Sequence, residues 1–115
     1  MPKRHVGYGL DACPVEAAIE VLRGKWKGMV LFYLLDGPVR FGELRRRMPS
    51  VTQRILTKSL RELEADGLVL RTQHPGVPPP VDYALTERGR GLAPAIHALK
   101  AWGEALLAER DEEVA

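Results

Sequence analysis

The sequence predicts a mainly α-helical fold with one small β-hairpin. Three observations carry that reading. Apolar residues recur at three- and four-residue steps through most of the chain, the spacing of helix faces. Near residues 81–85 the period drops to two, the spacing of a strand. Glycine and proline, at Gly24, Gly37-Pro38, Pro49 and Gly67, cut the chain into short pieces. The 115 residues suit one domain. With 45% hydrophobic and 28% charged residues, the chain can bury a core and stay soluble.

Each element has its own signal. Residues 1–12 read as an irregular arm. Pro14 fits the first turn of a helix, where its missing N–H costs nothing. That helix sets Val15, Ala18, Ile19 and Leu22 on one face and stops near Gly24. A second helix, residues 25–35, is apolar most of the way round through Trp26, Met29, Val30, Phe32, Tyr33 and Leu34, as a central core helix is. Asp36-Gly37-Pro38 ends it. A third, short helix covers residues 41–48 and breaks at Pro49-Ser50. A fourth begins at Thr52 and ends at Asp66 before Gly67, a glycine placed to cap it. Residues 68–72 and 81–85 read as two strands joined by a proline-rich tip. Thr86 is a credible N-cap for a last helix to about Leu107, kinked or restarted at Pro94. Residues 13–107 thus form one domain and 108–115 an acidic tail. Short helix, tight turn, longer helix and hairpin is the order of a winged helix-turn-helix.

Composition narrows the function classes. No apolar run approaches the roughly 18 residues that a membrane span needs. The first ten residues lack the apolar stretch of a secretory signal. The single cysteine, Cys13, rules out an intrachain disulfide framework and suits a reducing compartment, so a cytoplasmic location is expected. His5, His74, His97 and Cys13 do not have the spacing of metal ligands. No nucleophile–base–acid arrangement and no glycine-rich phosphate loop is visible, so neither an enzyme nor a cofactor is expected.

Charge points to a partner. The formal net charge is only +2. Between Arg23 and Arg61, however, ten basic residues face two acids, Asp36 and Glu43, a local charge of +8. Residues 101–115 carry −4. A basic segment in a near-neutral chain suits a polyanion. Ordinary solvated helix faces would give the same count.

The fourth helix separates these readings. At about 100° per residue, Gln53, Thr57, Arg61, Arg54 and Lys58 share one arc roughly 140° wide. Ile55, Leu56, Leu60 and Leu63 take the opposite arc and should face the core. Glutamine and arginine make paired hydrogen bonds to adenine and guanine edges, and lysine or threonine serves bases or phosphates. Gln53, Arg54, Thr57 and Lys58 are therefore the expected contacts to bases of double-stranded DNA. Lys25, Lys27, Arg40, Arg45, Thr52, Arg61 and His74 are the expected contacts to its backbone, positioning rather than specifying. Three successive arginines, Arg45 to Arg47, cannot share one helix face. The competing function is a winged helix that binds another protein and reads no sequence.

Several runs resemble the HxlR-type regulators. They are Cys13-Pro14-Val15-Glu16-Ala17-Ala18 with Gly24-Lys25-Trp26-Lys27, then Leu35-Asp36-Gly37-Pro38 with Arg40-Phe41-Gly42-Glu43-Leu44-Arg45. Leu60-Arg61-Glu62-Leu63-Glu64-Ala65-Asp66-Gly67-Leu68-Val69, Val81-Asp82-Tyr83 and Leu85-Thr86-Glu87-Arg88-Gly89-Arg90 follow in order. The resemblance covers about residues 11–103. It implies a homodimer on an inverted-repeat operator, joined through the first and last helices. On those helices Val15, Ile19, Leu92, Ile96, Leu99, Trp102 and Leu106 are the expected interface, although such a stripe also suits an internal core. Two departures stand out. Pro80 sits where the family's wing often has a basic residue, and Gly28 replaces a bulky apolar one.

The resemblance also implies that Cys13 is a candidate sensor of oxidants or electrophiles. The start of a helix favours an anion, which a reactive thiol must become. The alternative is a small, unreactive, buried residue. With no second cysteine, only a bridge between two copies of Cys13 or an adduct with a small thiol is open.

Overall fold

The computed structural model describes residues 13–114. The expected N-terminal arm, with His5, lies outside the described residues. In chain order the elements are α1 (Pro14–Val21), α2 (Lys27–Tyr33), β1 (Val39–Arg40), α3 (Phe41–Arg47), α4 (Gln53–Ala65), β2 (Val69–Gln73), β3 (Val81–Leu85), α5 (Glu87–Arg90) and α6 (Ala93–Val114). This is the expected mainly helical winged helix-turn-helix, with one strand more than expected. The sheet is antiparallel in the order β1-β3-β2. In the extra strand Val39 lies opposite Tyr83 and Arg40 opposite Asp82. Two residues are too few to show a period, and α3 follows at once.

The core forms where the apolar faces of α2, α3 and α4 meet the sheet. Val30, Leu31 and Leu34 of the α2 segment, Leu44 and Met48 around α3, and Leu56, Leu60 and Leu63 of α4 are all almost fully buried. Leu68, Val69, Tyr83 and Leu85 close it from the hairpin. The second helix is thus the core helix that its composition predicted, although it starts at Lys27 rather than Lys25.

Both ends of α4 are fixed locally. The Thr52 hydroxyl accepts a hydrogen bond from the Ile55 N–H at 3.1 Å, satisfying a first-turn donor. At the other end Gly67 takes φ 77°, a left-handed conformation that L side chains rarely adopt. Its N–H donates to the Glu64 carbonyl at 3.0 Å, and the Leu68 N–H donates to that of Leu63 at 2.9 Å. This double closure turns the chain directly from α4 into β2. Thr86 then ties the far side of the wing to the same corner. Its hydroxyl donates to the Gly67 carbonyl at 2.6 Å and accepts from the Gly89 N–H at 3.0 Å. Gly89 sits so close to the Leu68 carbonyl that a methyl group there would collide with it.

The last part of the chain differs from expectation. The break falls at Gly91-Leu92, before Pro94, which lies in the first turn of α6 where proline is tolerated. The final helix does not stop at Leu107. It runs 22 residues to Val114, so the acidic residues Glu109, Asp111 and Glu112 belong to its last turns. Among the described residues, no helix is long and apolar enough to cross a membrane.

Candidate nucleic-acid interface

The outward face of α4 is the most distinctive surface. Leu56, Ser59, Leu60 and Leu63 are buried, which fixes how the helix is rolled. The opposite arc then presents Gln53, Arg54, Lys58 and Arg61 to solvent, with Thr57 half-buried between them. The side chains of these five residues form no hydrogen bond or ion pair within the described residues. An open hollow of about 1360 Å³ runs along this face, lined by Thr52, Gln53, Arg54, Thr57, Lys58 and Arg61 among others. The Thr52 hydroxyl oxygen on this face already caps the helix.

Ile55 corrects the expected apolar arc. It is 41% exposed rather than buried. It lies about 100° round the helix from Leu56, on the flank beside Lys58. There it offers an apolar surface of the kind that meets a thymine methyl group. Sequence periodicity placed it in the core because an isoleucine carries no sign of which edge of an apolar arc it occupies.

The surrounding cations are mostly held by the protein itself. Lys27 was expected at a phosphate. Instead its side chain is 5% exposed, and its Nζ lies 2.6 Å from Glu62 Oε1. It ties α2 to the flank of α4 and is almost wholly buried, because a lysine on the inner face of α2 meets α4 before it meets solvent. Arg40 Nε is 2.7 Å from Asp82 Oδ1, and His74 Nε2 is 2.8 Å from Asp82 Oδ2. Asp82 thus gathers two of the expected backbone contacts. Arg46 and Arg47 reach Glu43 at 2.6 and 3.1 Å. The Arg46 guanidinium first, then that of Arg47, holds the Glu43 carboxyl below its ordinary range. Among the described residues Arg45 alone of the three has no carboxylate partner, and its Nε is buried without a hydrogen bond. Lys25 is exposed, with Nζ 4.8 Å from the Trp26 ring centre. Arg71, exposed on β2 and without a side-chain partner among the described residues, was not singled out by sequence. Its signal was its place on the outer strand of the wing.

The stripe expected at an interface divides in two. Ile96 is buried in the core, and Leu92 packs against that core. Ile96 therefore does not belong to an interface. A helix that closes a small domain must spend some apolar residues on it. Val15 and Ile19 on α1, and Leu99 and Trp102 on α6, remain more than half exposed. Leu106 is half-buried, and its neighbour Leu107 is exposed, which the sequence reading omitted. Cys13 is exposed at the N-cap position of α1, where its side chain makes no capping hydrogen bond. No cluster of three or more metal-ligating side chains occurs among the described residues.

A core-seated helix with a free polar face, followed by a hairpin wing, defines a winged helix-turn-helix transcriptional regulator. The chain belongs to the HxlR-like helix-turn-helix family, whose profile matches residues 21–111. It is 50% identical over 102 residues to the HTH-type transcriptional regulator YybR of Bacillus subtilis (strain 168), covering 89% of this chain and 82% of that one. Among solved structures it resembles the redox regulator HypR in its reduced form, with a TM-score of 0.81 and 49% identity, over 87% of this chain and 99% of that one. The oxidised form of HypR matches with a TM-score of 0.77 and 54% identity, over 81% and 96%. The chain is a transcriptional regulator and not an enzyme.

Proposed function

We propose that the protein is a homodimer that reads an inverted-repeat operator in double-stranded DNA, with α4 in the major groove. Gln53, Arg54, Thr57 and Lys58 contact bases. Arg61, Thr52, Lys25 and Arg45 contact the backbone, and Arg40 contacts it after exchanging Asp82 for a phosphate. The carrying observation is that the side chains of Gln53, Arg54, Thr57, Lys58 and Arg61 have no hydrogen-bond or ion-pair partner among the described residues, so their hydrogen-bonding capacity is available to DNA. The exposed apolar residues of α1 and α6 form the dimer contact. Their burial in a second copy would remove Val15, Ile19, Leu99 and Trp102 from water. Selection of a duplex from random sequence, followed by binding of wild type and Arg54→Ala across salt concentrations, tests the reading. Arg54→Ala should lose operator affinity and relax the base preference. Unchanged operator binding would remove α4 from the groove. Failure to select any duplex would favour a protein-binding role.

A second reading concerns Cys13, which is exposed at the N-cap of α1 beside the proposed dimer contact. The resemblance to a redox regulator solved in two states supports it. Hypochlorite would oxidise the two Cys13 thiols of a dimer to one disulfide. Two protons and two electrons leave, and chloride and water form. Operator affinity of wild type should change with oxidant, and that of Cys13→Ser should not.

A further inference from the structure

Gly28 faces open space. It is the second residue of α2, and a Cβ added there would meet no atom within 4 Å. The space belongs to a cavity of about 440 Å³ between the end of α1, α2 and α6. Leu22, Met29, Phe32, Ile96 and Leu99 give it an apolar lining. Its charged lining groups are Lys25 and Lys100, and no acid lines it. Small-molecule sites commonly have volumes of about 300–1,000 Å³, mostly apolar walls and a few placed polar groups. Glycine is a poor helix former, so the opening is kept at the expense of α2.

We propose that this cavity binds a small aromatic molecule carrying one acidic group. The ring lies against Phe32, Met29 and Leu99, side chains suited to aromatic surfaces. The anion lies between the two ammonium groups. Neither lysine is locked away from it. Lys25 rests over Trp26 at 4.8 Å, and Lys100 Nζ meets the exposed Glu104 carboxylate at 2.6 Å. An exposed pair of that kind gives way readily to a second anion. The walls connect two working parts. Leu99 belongs to the proposed dimer stripe, and α2 is tied to the flank of α4 through Lys27 and Glu62. A bound ligand therefore touches both the dimer contact and the seat of the reading helix. That regulatory consequence rests on the proposed dimer, whereas binding itself does not.

The probe is 1-anilinonaphthalene-8-sulfonate, an aromatic anion that brightens in apolar sites, with uncharged N-phenyl-1-naphthylamine as its partner. The full chain should bind the sulfonate saturably, with one molecule per chain. Gly28→Leu should weaken it about tenfold or more, a loss of roughly 1.4 kcal/mol or above, while raising Tm, because leucine favours the helix and fills the space. Gly28→Ala should weaken it less. The double variant Lys25→Ala, Lys100→Ala should weaken the sulfonate several-fold and leave the neutral probe unchanged. Wild-type sulfonate binding by Gly28→Leu overturns the proposal. So does dissociation of the Gly28→Leu protein into monomers on sedimentation, which would mean that a second copy fills the cavity. Operator binding by Gly28→Leu without ligand should match wild type, so failure here is distinct from failure of DNA reading.

Discussion

The front of α4 and the base of the wing treat charge in opposite ways. On α4, Arg54, Lys58 and Arg61 form no ion pair with a carboxylate among the described residues. At the wing base, Asp82 takes up both Arg40 and His74. On the flank of α4 Glu62 holds Lys27, and on α3 Glu43 holds Arg46 and Arg47. A free cation reaching a phosphate releases only solvent and counterions, whereas a paired one must first give up its carboxylate. Exposed pairs contribute about 0–1 kcal/mol, so Arg40 can exchange, but the buried Lys27 pair cannot. The +8 segment thus overstates the charge that DNA can use. Of its ten cations, Arg23, Lys27, Arg40, Arg46 and Arg47 are in ion pairs, which leaves Lys25, Arg45, Arg54, Lys58 and Arg61.

The sharpest way to break this contrast is at its buried member. Glu62→Ala strands the Lys27 ammonium inside the protein. The expected loss is about 2–3 kcal/mol in urea unfolding, somewhat less than for a fully buried pair because Glu62 is partly exposed. Lys27→Met should lose less, about 1 kcal/mol, since methionine fits the apolar surroundings and Glu62 can turn to water. Equal losses in the two variants would show that the pair does not anchor α4. Next in size is Arg54→Ala. It should cost roughly 1–3 kcal/mol of operator affinity, about ten- to a hundredfold, with a smaller loss on random duplex. His74→Ala, at a position already paired, should change operator affinity far less. A His74→Ala loss as large as that of Arg54→Ala would erase the distinction between the two regions.

The fold is legible in the sequence wherever one local property decides the outcome. The cap at Thr52 and the left-handed Gly67 bounded α4 correctly, because both are local backbone requirements. The free arc of α4 followed from a period of 3.6 and needed no tertiary knowledge. Lys27 was misplaced because its burial depends on Glu62, 35 positions away, and no local pattern reports that contact. Ile96 was misplaced for a related reason. A repeating apolar stripe on the last helix does not say where the domain's own core ends and an exposed surface begins. The two-residue β1 exists only through its partner β3, so it was invisible before the chain was folded. Pro94 looked like the breaking residue, yet the chain had already bent at Gly91-Leu92.

On the wing the contrast can be sharpened with Arg71, an exposed cation that no carboxylate pairs among the described residues. If Arg71 meets a phosphate, Arg71→Ala should lower the salt slope of binding by about one. His74→Ala should leave that slope unchanged, because its ring is committed to Asp82 at 2.8 Å. The measurement is log affinity against log salt for each variant on the same duplex. A wing that never touches DNA would give identical slopes for Arg71→Ala and wild type.

The smallest expected effect comes from releasing cations that the protein now neutralises. Glu43→Gln removes the carboxylate that holds Arg46 and Arg47 on the exposed end of α3. If either guanidinium then finds a phosphate, the salt slope should steepen by about 0.9 for each new contact. Random duplex should gain as much as operator, because backbone contacts carry no sequence information. Acid should imitate the substitution. The Arg46 and Arg47 guanidiniums lower the Glu43 pKa in the folded protein, so this carboxylate adds stability above its unfolded pKa. That contribution fades as pH falls through the lower folded value. Glu43→Gln lacks the titrating group, so its unfolding free energy should fall less steeply than that of wild type across the acid range. A steeper slope in salt together with a shallower slope in acid would identify Glu43 as the group that withholds these arginines from DNA. Unchanged slopes in both would mean that Arg46 and Arg47 are solvated side chains whether paired or not.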